Sequence, residues 1–177
     1  MNTSNISHGQ FLNLMSDEEQ KGMIKSSSKV FIDLFEERVK NKQIDTDKEK
    51  AFISAILEEA RSNFYMQFND EMRVFLLFKR NFKGLMIIGH NTPKPNLKDY
   101  LNGQEHVLEL IVIHSSQKGE GHKMIKRLLN LSKKLKLPIT LWTESDENVL
   151  YFEKYGFENK GQLGDNNEFL MVLPESK

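Results

Sequence analysis

Residues 107–129 read VLELIVIHSSQKGEGHKMIKRLL, and this stretch decides the fold of the chain. Its apolar run Leu108–Ile113 predicts a buried strand, and polar residues then lead into Gly119-Glu120-Gly121. An apolar helical pattern begins immediately afterwards. A glycine turn that opens a helix leaves backbone N–H groups near the positive end of the helix dipole, which favours anion binding. A tight turn without a ligand is the alternative interpretation.

A second informative stretch, residues 139–157, reads ITLWTESDENVLYFEKYGF. Pro138 ends the preceding helical pattern, and residues 139–143 predict a short buried strand. The segment Asn148–Phe157 predicts a short helix that is closed by Gly156. The chain from 107 to 157 is therefore predicted to run strand, glycine loop, helix, strand, helix.

The two stretches together resemble the GNAT family of acyl-CoA-dependent N-acetyltransferases. The family's first motif is similar to L-x-V, five residues and then [Q/R]-x-x-G-x-G, and its second to N-V-x-F-Y-E-K-x-G-F. The matching residues here are Leu110, Val112, Gln117, Gly119 and Gly121, then Asn148, Glu153, Lys154, Gly156 and Phe157. The second motif is most similar to the branch that includes the puromycin-acetylating enzymes.

The resemblance implies an α/β (α+β) fold with a mixed, mostly antiparallel central sheet flanked by helices. It also implies that acetyl-CoA is the co-substrate and that its acetyl group passes by direct attack to a primary amine of a small molecule or peptide. A protein that binds acyl-CoA without turnover is the alternative. The implied cofactor-binding residues are Leu110, Ile111, Val112, Gln117, Lys118, Gly119, Glu120, Gly121, His122, Asn148 and Phe152. Asn148 has a second interpretation as a helix cap.

Two features depart from the family pattern. The loop is one residue shorter, because Gln117-Lys118-Gly119 stands where the family has two residues between glutamine and glycine. Phe152 stands where a tyrosine is usual, and Tyr151 precedes it. A shift of one residue rotates a helical side chain by about 100°. Tyr151 is therefore not expected to take over the role of general acid.

Alkyl amines such as that of lysine have a pKa of about 10.4 and are protonated at neutral pH. Acetyl transfer to such an amine therefore requires removal of a proton. Glu109 is the first candidate base, because an unpaired carboxylate in an apolar strand is costly and suggests a role. The alternative is a carboxylate paired with a lysine or arginine at the sheet edge. Glu144 is the second candidate and Glu105 the third. A strand N–H near Ile111 is the expected donor to the developing oxyanion.

Composition sets wider bounds. The 177 residues predict one domain, with acceptor-side elements in 1–104, the acetyl-CoA core in 105–157 and C-terminal strands in 158–177. Equal numbers of basic and acidic residues, 25 each, argue against nucleic acid or membrane as partners. The absence of cysteine excludes a cysteine nucleophile, and no signal peptide or membrane span is visible, so we expect a cytoplasmic location. The sequence is compatible with a homodimer.

Two further alternatives concern charged residues. The five histidines have no metal-ligand spacing, so we expect packing or surface roles and no metal, with a zinc site as the alternative. The helix after the glycine loop has a basic side that also fits a nucleic-acid surface. Its cations are Lys123, Lys126, Arg127, Lys133, Lys134 and Lys136.

The rest of the chain predicts elements from pattern alone. A short strand is expected at Phe11–Leu14, followed by a helix from Ser16 to about Lys40 that Ser26–Ser28 divides. After a polar break at Asp45–Asp47, with Thr46 as cap, a second helix runs to near Phe64. Later predictions are strands at Arg73–Phe78 and Leu85–Ile88, a loop at Asn91–Gly103, a polar hairpin or loop at Lys160–Asn167, and a strand at Phe169–Leu173.

Overall fold

The computed structural model of the chain describes residues 6–44 and 46–175. Its α-helices are α1 His8–Ser16, α2 Glu18–Lys40, α3 Asp47–Ser62, α4 Glu120–Leu135 and α5 Asp146–Glu153. Its strands are β1 Phe64–Asn69, β2 Val74–Lys79, β3 Gly84–Asn91, β4 Val107–Ser115, β5 Ile139–Thr143, β6 Glu158–Gln162 and β7 Phe169–Leu173. A 3-10 helix, Pro95–Leu101, lies between β3 and β4.

The strands form a seven-stranded sheet in the order β1-β2-β3-β4-β5-β7-β6. The pairs β1/β2, β5/β7 and β6/β7 are antiparallel, whereas β4 and β5 are parallel. A parallel pair needs a long crossover, which α4 supplies. Helices contact the sheet at β1, β6 and β7. The predicted mixed, mostly antiparallel sheet flanked by helices is confirmed.

The chain forms two compact units. The first unit contains Met1–Ile88 and Val112–Leu128, and the second contains Gly89–Ile111 and Leu129–Lys177. In the first unit α2 and α3 contact β1, and the ring of Phe75 packs against Phe35, Phe52 and Phe68. These aromatic contacts explain why phenylalanine is abundant in this chain.

The second unit has its own apolar cluster. Leu97 and Leu101 of the 3-10 helix pack with Val107, Leu170 and Val172, and Trp142 packs against this group. The segment between β3 and β4, which was predicted as a loop, therefore packs against the sheet through two leucines. The single-domain interpretation of the sequence stays a prediction.

The predicted strand at Phe11–Leu14 is wrong, because these residues belong to α1. The Ser7 side chain accepts a hydrogen bond from the Gln10 N–H, and the Gln10 side-chain oxygen accepts one from the Ser7 N–H. This reciprocal cap favours a helix start. Phe11 and Met15 are then buried four residues apart on one side of the helix. A short apolar run alone does not distinguish this helix from a strand.

The predicted break at Ser26–Ser28 is also wrong, since α2 is continuous. The hydroxyls of Ser26 and Ser27 donate to the carbonyl of Met23 in the preceding turn, so both hydroxyls have a hydrogen-bond acceptor within the helix. Ser28 is buried and its Oγ accepts the Met66 N–H at 2.8 Å. Ser28 therefore attaches α2 to β1, and all three serines lie within the helix.

Most other boundaries agree with the sequence. Thr46 caps α3 as predicted, while Asp45 lies outside the described residues. Strand β1 was missed, because the helical pattern was extended to Phe64, whereas α3 ends at Ser62. The predicted polar hairpin or loop at Lys160–Asn167 overlaps the end of strand β6, which begins at Glu158 and pairs with β7. Within residues 6–44 and 46–175, no helix combines the length and apolar character needed to cross a bilayer.

Candidate functional site

The loop between β4 and α4 is a tight turn. The Ser116 N–H donates to the carbonyl of Lys83 at 3.1 Å, which anchors the start of the loop. The Glu120 N–H donates to the carbonyl of Gln117 at 3.2 Å and closes the turn. Gln117, Lys118 and Gly119 are exposed. The shortened loop thus places its predicted cofactor-binding residues at the surface of the first unit.

Gly119 occupies the N-cap position of α4. Its carbonyl accepts the Lys123 N–H at 3.2 Å, which is the first bond of the helix, and its φ is +86°. A Cβ atom added at this position would meet no atom within 4 Å, so glycine is required by the backbone conformation and not by space. A glycine cap also has no side-chain oxygen to offer to the first-turn N–H groups. The N–H of Gly121 therefore has no acceptor within its own helix.

Glu120, the first residue of α4, is buried and points away from solvent. Its carboxylate oxygens lie 2.7 Å from Lys123 Nζ and 2.8 Å from Lys79 Nζ. The interactions with Lys123, and then with Lys79, lower the pKa of Glu120 to about 2. The side chain predicted to bind the cofactor is thus engaged by two lysines, and any contribution of Glu120 to cofactor binding stays a prediction.

We expect Glu120→Gln to lower the free energy of unfolding at pH 7 by roughly 1.5–3 kcal/mol, because two charge-assisted contacts weaken. The lowered pKa means that the stabilisation is full above about 4.5 and is lost as the pH falls through about 2. Urea denaturation at pH 7 and at decreasing pH would measure this difference. The matched control is Glu147→Gln, an exposed first-turn glutamate of α5. A pH-independent difference would contradict the ion-pair interpretation.

Strand β4 supplies the backbone that the sequence assigned to the cofactor arm. Leu110 is buried, whereas Ile111 and Val112 are partly exposed. The parallel ladder joins Leu108 to Ile139, Glu109 to Thr140 and Leu110 to Leu141, and within these fully described strands it extends no further. β4 therefore continues beyond the part that β5 pairs.

The direction of the β4 backbone groups follows from one hydrogen bond. The Leu108 N–H donates to the carbonyl of Pro138, the residue before β5, at 2.9 Å. Backbone groups alternate between the two edges of a strand, so the N–H of Val112 points to the same edge as that of Leu108. The N–H of Ile111 points to the opposite edge. Val112 is therefore a better candidate than Ile111 for an N–H donor beyond the end of the ladder.

The second motif forms α5 in the second unit. Ser145 is its N-cap, and its Oγ accepts the Asn148 N–H at 3.3 Å. The interpretation of Asn148 as a cap is therefore wrong: its exposed side chain is at the third helical position. Gly156 has φ +90° and follows the helix, as the sequence predicted. The Asn148 side chain is free of a capping role, and its contact with a cofactor stays a prediction.

Phe152 is 5% exposed and packs its ring against Tyr151 and Phe157. The Tyr155 hydroxyl donates to the Tyr151 hydroxyl at 3.2 Å. Burial, followed by this hydrogen bond, raises the pKa of Tyr151 well above its usual range. Tyr151 is thus a weaker acid than an ordinary tyrosine, which agrees with the expectation that it does not replace the missing phenol.

For the acetyl transfer that the resemblance implies, we expect Phe152→Tyr to raise the turnover number or to leave it unchanged, because a phenol would then be available to protonate the departing thiolate. Placing a hydroxyl at a buried position should also lower the free energy of unfolding by about 1 kcal/mol or more. Tyr151→Phe should change turnover little, since its ring lies about 100° around the helix. Steady-state kinetics test both variants. Loss of activity in Tyr151→Phe, with no effect of Phe152→Tyr, would contradict this assignment.

The candidate bases differ in their surroundings. Glu109 is partly buried, and its Oε2 accepts a hydrogen bond from Asn91 Nδ2 at 2.6 Å. The partner of Glu109 is thus an amide, where the sequence left open a lysine or arginine. Glu144 and Glu105 are exposed. Sequence reasoning missed Asn91, whose signal was its place as a polar residue ending the apolar run of β3.

One histidine and two basic side chains of α4 have defined contacts within the first unit. His114 Nε2 lies 2.6 Å from the carbonyl of Ile6, which can only accept, so Nε2 carries the proton. The His114 ring stacks on Phe11, and burial lowers its pKa. On α4, Lys123 pairs with Glu120 and Arg127 with Glu59. Over the described part of the chain, no group of three or more histidine, aspartate or glutamate side chains is arranged to hold a metal.

Comparison with known proteins found likeness only among solved structures. No family model and no curated protein matches the chain. The Bacillus subtilis N-acetyltransferase YlbP, in complex with coenzyme A, is 15% identical, with 68% of this chain and 79% of that chain covered and a TM-score of 0.43. A histone acetyltransferase HPA2 and related acetyltransferase from Corynebacterium glutamicum is 16% identical, with 76% and 80% covered and a TM-score of 0.38. Both likenesses concern the fold, and neither carries an argument about activity.

Proposed function

We propose that this chain is a GNAT-like N-acetyltransferase that transfers the acetyl group of acetyl-CoA to a primary amine. The observation that carries the proposal is the start of α4. A glycine without a capping side chain, held at φ +86°, precedes a first turn whose carboxylate is already bound by lysines. Such a helix start offers N–H groups to an anion and does not repel it. The pyrophosphate of coenzyme A is an anion of this kind.

The pantetheine arm would add to β4 as a short strand-like segment. The N–H of Val112, which points to the same edge as that of Leu108, would donate to the arm or to the thioester carbonyl. Leu110 and Ile111 flank this position on the strand, and Gln117, Lys118 and His122 flank the glycine turn. We propose these residues as the cofactor contacts, together with Asn148 and Phe152 of α5.

The proposed reaction is a direct transfer. The amine nitrogen attacks the thioester carbonyl carbon, a C–N bond forms, and the C–S bond breaks to release the coenzyme A thiolate. Glu109 accepts the proton from the nitrogen, while the thiolate takes a proton from solvent because Phe152 carries no hydroxyl. The chain contains no cysteine to carry the acetyl group, which favours direct attack over an acetyl-cysteine intermediate.

The second candidate is binding of acyl-CoA without turnover. It is favoured by the buried phenylalanine at position 152 and by the raised pKa of Tyr151, which together leave α5 without an effective phenol acid. A thiolate whose conjugate thiol has a pKa of about 8.5 is nevertheless an adequate leaving group without an acid. We therefore expect slow transfer instead of none.

The test is incubation with acetyl-CoA and a panel of amines that includes polyamines, aminoglycosides, peptides with a free N-terminus and lysine peptides. Free thiol release and the mass of the acceptor are followed together. Thiol release that depends on the amine, with an acceptor heavier by one acetyl group, supports the transferase. Stabilisation by acetyl-CoA without amine-dependent release in the whole panel would support the binding protein instead.

A further inference from the structure

We infer that Asn91 is a positioning residue for the acetyl-transfer step, because it holds the carboxylate of Glu109 in a fixed orientation. This inference rests on the proposed function, in which Glu109 receives the amine proton. Asn91 is the last residue of β3, and its Nδ2 donates to Glu109 Oε2 at 2.6 Å. The two residues are 18 positions apart, so strand pairing and not local sequence brings them together.

The surroundings of Glu109 explain why its orientation needs a partner. Residues two apart on a strand share a face, so Glu109 lies on the same face as Val107. Val107 belongs to the apolar cluster of the second unit. Across the parallel ladder Glu109 pairs with Thr140, which is 5% exposed. Val107 on this face is apolar, and the amide of Asn91 gives the Glu109 carboxylate a defined polar partner.

The chemistry of the partner suits a base. A carboxylate only accepts hydrogen bonds, so the NH₂ group of Asn91 must face it. With Oε2 engaged, Oε1 remains available for the proton of the attacking amine. A lysine at position 91 would orient Glu109 as well, but its charge would stabilise the carboxylate and make it a weaker base. A neutral amide orients the carboxylate without placing a positive charge beside it.

Other titratable groups close to these two residues along the chain are His90, His106 and Glu105. The rings of His90 and His106 stack on each other with centroids 4.9 Å apart. Glu105 is exposed. The test therefore compares variants of position 91 with one another and with the parent chain.

The test uses Asn91→Leu, which removes the donor, and Asn91→Asp, which places a like charge beside Glu109. We expect Asn91→Leu to lower kcat about 10-fold with little change in the KM for acetyl-CoA, since general-base effects reach about 100-fold or more and orientation is part of them. We expect Asn91→Asp to move the acid limb of the pH–rate profile to higher pH, because a like charge disfavours the carboxylate form.

A double-mutant cycle separates positioning from a structural role. If Asn91 acts through Glu109, Asn91→Leu should have no further effect on kcat in a Glu109→Gln chain. An equal loss in both backgrounds, or an unmoved acid limb in Asn91→Asp, would overturn the inference while leaving the transferase assignment intact. A parent chain that binds acetyl-CoA but transfers to no amine would instead overturn the proposed function, and this role for Asn91 with it.

Discussion

Replacing Glu109 by glutamine is expected to lower the kcat of acetyl transfer about 100-fold or more, the usual size of a general-base effect. Glutamine keeps the size of the side chain and can still contact Asn91, whose donor lies 2.6 Å from Glu109 Oε2. It cannot accept the amine proton at neutral pH. Since the proposed cofactor contacts on β4 are backbone groups, we expect the affinity for acetyl-CoA to change little.

Two glutamates serve as matched controls for this prediction. Glu105 and Glu144 are exposed, so their replacement by glutamine should leave kcat close to that of the parent. Steady-state rates over a range of pH, with acetyl-CoA affinity measured separately, distinguish proton transfer from binding. An unchanged rate and pH profile in Glu109→Gln would move the role to Glu144, to Glu105 or to solvent.

The second large effect is expected at Gly121. Acetyl-CoA at 100 times its dissociation constant should stabilise the parent chain by about 2.7 kcal/mol. Gly121→Val should abolish this stabilisation, because a branched side chain in the first turn of α4 would obstruct the approach of the pyrophosphate to the N–H groups. Thermal unfolding with and without acetyl-CoA measures the effect.

The position is chosen to separate binding from folding. Gly119 has φ +86°, so any substitution there strains the backbone as well. Gly121 lies within the helix, where valine is tolerated at a modest cost in helix propensity. Gly22→Val is the control, since Gly22 is also helical and a Cβ atom added there would meet nothing within 4 Å. Undiminished stabilisation of Gly121→Val by acetyl-CoA would mean that the loop is only a turn.

The motif region was predicted well because its signals are local. Strand β5 has the predicted boundaries, and the predicted β4, α4 and α5 are all present. Pro138 restricts the backbone before β5, Gly119 and Gly156 adopt positive φ next to helices, and the apolar period changes clearly between strand and helix. Phe11–Leu14 carried no such signal. These residues form a helix because Ser7 and Gln10 cap its start with reciprocal hydrogen bonds. The apolar content of so short a segment fits a strand equally well.

By itself, the sequence determined the order of β4, α4, β5 and α5, the glycine turn at their centre, and the candidate residues on them. Only the tertiary structure decided what those side chains meet. Asn91 reaches Glu109 through the pairing of strands, and Lys79 reaches Glu120 from β2. Phe152 is buried against Phe157. Apolar periodicity and the backbone preferences of proline and glycine act over a few residues. Strand register and packing bring together residues that are far apart in the sequence, and no local pattern predicts these contacts.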